Sequence, residues 1–236
     1  ITIKWTLVVI LFLILLASLF FFQIKKQHSE YQKNELQVWA SMKEGITYIY
    51  RTKEILGALC LDMFAVLFGG AVAMIPVFAS DILKVGADGF GLLNAASDIG
   101  SMMIIVTLSF IPLRKNQGKI LIGVVAGFGL CIIGFGLSKL YWLSFLFLML
   151  SGIFDGISVV IRGTIVQLKT PDHIRGRVMS ANSIFIMSSN EMGQFESGVA
   201  AKLLGVVRSV VFGGTMTVLI ALFVGKFVPK LRKMEY

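Results

Sequence analysis

Seven apolar runs, near 5–22, 55–79, 90–112, 120–138, 141–161, 179–204 and 207–228, restrict this chain more than any other feature. A helix needs about 20 apolar residues to cross a hydrocarbon core about 30 Å thick. Each run has that length or comes close to it. The runs are continuously apolar and do not alternate in short pieces, so they read as helices and not as barrel strands. Of the 236 residues, 56% are hydrophobic and 15% charged, with a mean hydropathy of +0.85. That leaves too little polar residue to cover a soluble domain of this size. The fold class expected is an all-α polytopic membrane protein with seven transmembrane helices. Its first run has Lys4 as a basic flank, but its aromatic tail "LFFFQIKK" and lack of a small-residue cleavage site separate it from a signal peptide.

A formal net charge of +9 raises the question of nucleic acid, and the placement of the charge answers it. If odd runs travel inward, sixteen Lys and Arg fall in cytoplasmic segments and four on the other side, with Arg162 and Lys202 in or at the ends of spans. That bias orients a membrane protein with its C-terminus in the cytoplasm. Cys60 and Cys131 lie within apolar runs and His28 and His173 in loops. No disulfide framework, metal site or bound cofactor follows from them. Ser–His pairing, metal-ligand spacing and phosphate-binding loops are missing from the sequence, which argues against an enzyme and against ATP-driven pumping.

Between the first two runs, residues 23–35 read as a polar linker. After it "LQVWASMKEGITYIYR" sets Leu36, Trp39, Met42, Ile46 and Ile49 at helical spacing, with Lys43 and Glu44 turned away. This predicts an amphipathic helix on the cytoplasmic membrane surface. Seven spans put the two ends on opposite faces, and the sequence opens at Ile1. The expectation is the rear part of a longer protein: residues 1–22 the sixth of twelve helices, 23–53 a linker with the surface helix, 54–228 a six-helix bundle and 229–236 a cytoplasmic tail.

Several stretches resemble the rear half of major facilitator superfamily permeases, in the branch of enterobactin-type exporters and macrolide efflux pumps. "SMKEGITYIYRTKEILGALCLDMFAVLFGGAVAMIPVFASDIL" is similar to the entry into the family's seventh helix and "VGADGFGLLNAASDIGSMM" to the loop into its eighth. "TPDHIRGRVMSANSIF" resembles the turn between the tenth and eleventh helices, and "NEMGQFESGVAAKLLG" the eleventh itself. The resemblance runs from about Leu36 to Val228. One loop departs from it, since "IPLRKNQGK" lacks the acidic residue usual between helices eight and nine. The resemblance implies two six-helix bundles rocking about a central site in a bacterial inner membrane. It also implies proton-coupled efflux of a small siderophore- or drug-like molecule, with an N-terminal half as partner. The alternative is a membrane interaction module without transport activity of its own.

Charges inside a span cost about 2.5–3.5 kcal/mol at the helix centre on insertion scales, so each needs a reason. Asp62, Asp98, Asp155, Arg162, Glu191 and Glu196 qualify. Glu191, near the middle of its run, is the best-placed carboxylate for proton exchange. Asp155 and Arg162 share a helix face but lie seven residues apart, which predicts separate partners on neighbouring helices. Arg162 has the alternative of snorkelling to the interface, and Asp62 that of pairing with the basic loop. Glu196 lies about 140° around the helix from Glu191, predicting different surroundings. Asp98 carries no expected role. Gly123–Gly127 and Gly152–Gly156 have the spacing of close helix contacts. In the polar turn, Pro171 halts the incoming helix and Gly176 permits a tight backbone. Arg175 and Arg177 there either hold the turn in the cytoplasm or latch onto carboxylates of adjacent helices.

Overall fold

The computed structural model describes residues 3–22, 35–111, 113, 115–232 and 234. They fall into two units, Ile1–Val38 and Trp39–Tyr236. The first unit contains α1 (Ile3–Phe22), a 20-residue helix of almost wholly apolar side chains. A second helix, α2 (Glu35–Arg51), leads into the second unit, to which its residues from Trp39 onward belong.

Thr52 alone separates α2 from α3 (Lys53–Phe68). Beyond Gly69 and Gly70 the same rod continues through a 3-10 turn (Ala71–Met74), a single turn α4 (Ile75–Val77) and a wide turn of π type (Phe78–Ile82). The remaining helices are α5 (Ala87–Phe110), α6 (Gln117–Leu137), α7 (Tyr141–Lys169), α8 (Arg175–Leu204), α9 (Val206–Phe227) and the short α10 (Pro229–Arg232). No strand occurs among the described residues. By length and apolarity the rod Lys53–Ile82 and helices α5, α6, α7 and α9 qualify as membrane spans. With 30 residues α8 is long enough, but its central "SSNEMGQFES" makes it the most polar of the long helices. The chain is an all-α polytopic membrane protein.

Two boundaries differ from the sequence reading. The apolar run 141–161 continues as helix to Lys169, and α8 begins at Arg175, four residues before its apolar run. Hydropathy marks where apolar side chains stop, whereas helical hydrogen bonds continue through polar ones. The run 55–79 is also not one regular helix, because it breaks at Gly69–Gly70.

Helices in lipid gain little from apolar contact with each other, so they associate where small residues let backbones approach. Helices α5 and α7 do so reciprocally: a side chain at Gly100 would strike the carbonyl of Met149, and one at Gly152 that of Ser97. Ser101 Oγ donates to the Gly152 carbonyl at 2.8 Å across the same seam. Gly129 of α6 and Gly214 of α9 face each other's backbone in the same manner. Of the two predicted glycine pairs, Gly152–Gly156 lies wholly in the α5 seam. The other does not act as a pair, since Gly127 abuts the Phe154 ring while Gly123 borders open space.

Two apolar clusters fill the second unit. One gathers Ile49, Ile55, Leu121, Ile165, Val178 and Leu231 at the end where α2, the α7–α8 turn and α10 meet. The other, around Met74, Ile75, Phe78, Leu93, Phe135 and Leu148, lies toward the opposite end, with the Phe78 and Phe135 rings 4.5 Å apart. The stripe of α2 divides between protein and surroundings. Ile49 is fully enclosed and Ile46 packs on the first cluster, while Trp39 is 75% exposed. The second half of α2 thus packs into the bundle's core.

The α7 glycines provide a contrast test. Gly152→Ala is expected to destabilise the fold by about 1–3 kcal/mol, the usual range for overpacking. Gly163→Ala, where nothing lies within 4 Å of the added carbon, is expected to be neutral or stabilising. Thermal unfolding in detergent, followed by reactivity of Cys60 and Cys131, reads both.

Candidate functional site

Asp62 sits two and a half turns into α3, on the face that meets α7. There its carboxylate forms an ion pair with the Arg162 guanidinium, both side chains being 8% exposed. Arg162 Nε donates to the Ser158 carbonyl at 3.3 Å, and Nη2 lies 4.0 Å from an Asp155 carboxylate oxygen. Arg162 therefore does not snorkel, and Asp62 meets this arginine and not the basic turn.

The expectation that Asp155 and Arg162 lie too far apart also needs correction. Seven residues separate the two backbones by about 10 Å along the axis. Helical side chains, however, lean toward the helix N-terminus, and arginine is long enough to reach back along that direction. One arginine thus serves two aspartates on two helices. When all three are ionised the cluster carries one net negative charge. Asp62, Asp155 and Ser158 also line a cavity of about 10 Å³ between α3, α6 and α7, room for about one water.

A second polar feature lies one to two turns farther along the rod. At Gly69–Gly70 the helical hydrogen-bond ladder is interrupted, and neighbouring hydroxyls catch nearby carbonyls. Thr217 of α9 donates to Ala65 O at 3.1 Å, and Ser197 of α8 donates to Gly70 O at 3.2 Å. Broken helices persist at membrane depth only where such partners exist. The Gly-Gly dipeptide is the sequence signal for this break, masked by the apolar run around it.

On α8, Gly193 and Ser197 face α3, while Ser188, Asn190, Glu191 and Gln194 are exposed. Glu196 is half-buried beside Leu67, Met192 and Phe195, so the two glutamates do occupy different surroundings. Among the described residues no ion pair reaches either of them. Asp98 is exposed on α5.

At the α7–α8 turn the two arginines part company. Arg175 pairs with Asp172 three residues earlier, within the turn. Arg177 pairs with Glu44 of α2. On the same face of α2 the Tyr48 hydroxyl donates to the Lys169 carbonyl at the end of α7, and Gly45 comes so close to the Arg177 carbonyl that an added carbon would be 2.7 Å from it. This clasp supplies a carboxylate from the linker helix, and neither Glu44 nor Tyr48 was singled out from sequence. Pro171, with φ −58 and ψ 145, ends α7 as expected. Gly176 lies in the first turn of α8 with open space around it, so the close approach belongs to Gly45.

Removing one member of the buried pair, by Asp62→Ala or Arg162→Ala, is expected to cost about 3–5 kcal/mol, because the other charge is stranded. The double substitution Asp62→Leu with Arg162→Met should cost clearly less than the two single losses combined. For the exposed Glu44–Arg177 pair, a double-mutant cycle with Glu44→Gln and Arg177→Gln should return a coupling of about 0.2–1 kcal/mol that shrinks in high salt. Detergent melting curves measure both cycles.

No curated protein and no solved structure matches the chain. A family model described as transmembrane secretion effector matches residues 2–236. That match covers nearly every residue, and it agrees with a bundle of long apolar helices enclosing a buried charge cluster. The chain belongs to the transmembrane secretion effector family of major facilitator type transporters.

Proposed function

We propose that the chain works in a secondary carrier exporting a small organic molecule in exchange for protons, with Asp62, Arg162 and Asp155 as the coupling element. The observation that carries this reading is one buried arginine shared between aspartates of α3 and α7. The Asp155 side chain is 43% exposed against 8% for Asp62, so protons reach Asp155 first. A protonated Asp155 no longer competes for the guanidinium, and Arg162 then commits to Asp62 and ties α3 to α7. An ionised Asp155 draws Arg162 back along α7 and loosens that tie. The charge on one carboxylate thus biases two arrangements of the bundle, which is what coupling requires.

In this reading Glu191 and Glu196 are pathway carboxylates on α8. Arg175 and Arg177, with Pro171 and Gly176, form the cytoplasmic gate, closed through Glu44. The C-terminus lies in the cytoplasm of a bacterium and the helices in its inner membrane. An N-terminal half covers α8, a proposal supported by the exposed Ser188, Asn190, Glu191 and Gln194, which are poorly suited to lipid. The same polar face favours a second reading, a membrane module that binds a partner helix and carries nothing.

Vesicles carrying the protein, screened with a panel of small organic molecules under an imposed pH gradient, separate these readings. A coupled carrier accumulates a substrate uphill and stops when an uncoupler is added. Asp155→Asn is expected to abolish uphill accumulation while leaving downhill exchange, and Glu191→Gln to slow uphill transport. Uphill transport that persists with the uncoupler would sink proton coupling, and partner binding with no flux of any molecule would favour the module.

A further inference from the structure

Beside the Gly193 seam an apolar groove runs along α3 and α8. It consists of two adjoining cavities of about 410 and 500 Å³, which share Leu67 and Met192. Either volume suits a small organic ligand. The walls combine three aromatic rings, Phe64, Phe185 and Phe195, with the flexible thioethers of Met63 and Met192. Ile46 of α2 closes the groove toward the clasp.

One charged side chain lines this groove, and its sign decides the occupant. Glu196 borders the second cavity, and no Lys, Arg or His lines either one. A lipid acyl chain would leave that carboxylate facing hydrocarbon, at a cost that membrane proteins avoid. An anion would meet it as a like charge in a poorly screened setting. A bulky apolar cation satisfies both demands. Its charge meets Glu196 and the negative faces of the phenylalanine rings, and its apolar body fills the space beside the methionines.

We infer that the α3–α8 groove is a binding site for lipophilic cations, with Glu196 as the charge-recognising residue. This deepens the proposed export function by naming a substrate class, yet it concerns binding alone and does not depend on coupling at Asp155.

Tetraphenylphosphonium and tetraphenylborate, alike in size and shape and opposite in charge, provide the test. Binding of each to the protein in nanodiscs is measured by equilibrium dialysis, without any gradient, after subtracting its partition into empty nanodiscs of the same lipid, which the interfacial dipole potential biases toward the anion. The cation is expected to bind at least about tenfold more tightly than the anion. Glu196→Gln should weaken the cation about tenfold and leave the anion unchanged or tighter. Asp98→Asn, which removes a carboxylate from a different helix, should change neither. Met192→Trp, which fills the junction of the two cavities, should weaken the cation even where Glu196 is intact. Equal binding of both ions, or cation binding indifferent to Glu196→Gln and Met192→Trp, would overturn the inference. Cation binding that follows this pattern in protein with no uphill transport would leave the site standing and reject only the coupling proposal.

Discussion

Water is the partner that most protein groups fall back on, and inside a bilayer it is missing. Everything in this bundle follows from having to replace it. Backbones approach through Gly100, Gly152, Gly129 and Gly214 because dispersion between close-packed atoms is the main attraction left between helices. At the Gly69–Gly70 break the Ala65 and Gly70 carbonyls, each already accepting a backbone N–H, take a second hydrogen bond from the hydroxyls of Thr217 and Ser197, which sit on the two helices that flank the rod. The Arg162 guanidinium, which would be hydrated at a surface, takes Asp62, Asp155 and a backbone carbonyl in place of water. Each of these substitutions ties two elements together, so polar satisfaction and helix packing are one problem here.

The long apolar helices were legible in the sequence because hydropathy measures the property the bilayer selects for. The Gly152–Gly156 seam was legible for a related reason, since small residues one turn apart have few other uses in a span. Gly123–Gly127 shows the limit of that signal: spacing identifies which residues are small, and only the neighbour decides whether a backbone or a phenylalanine ring meets them. The charged residues behaved the same way. Asp62, Asp155 and Arg162 stood out as unusual, but which of them meet depends on the side-by-side placement of α3 and α7 and on the reach of an arginine along its own helix. Sequence separation alone placed two of them too far apart.

What the sequence left hidden lies mostly where distant segments touch. Glu44 looked like one more charge on the outer face of an amphipathic helix, and its pairing with Arg177 spans 133 positions of chain. Tyr48 reaches Lys169 over a comparable distance. A stripe of apolar residues on α2 does not say what it buries against, and here bundle and surroundings share it. The groove between α3 and α8 was equally invisible, because its lining comes from residues that alternate with packing residues on both helices.

The length of α7 has a mechanical side. It is one unbroken helix of 29 residues, fixed against α5 by the backbone contact at Gly152 and carrying at its far end the carbonyl that Tyr48 holds. Seventeen residues, roughly 25 Å of helix, separate those two points, with Asp155 and Arg162 strung between them. Were the rod to pivot at the glycine it would act as a lever, with the contacts of Gly156, Arg162 and Ile165 resisting the swing. A tilt of about 5° there swings the far end by about 2 Å, enough to part a hydrogen bond, while Asp155, less than one turn from the pivot, hardly moves. A small rotation near the charge cluster would then be read out, amplified, at the linker helix.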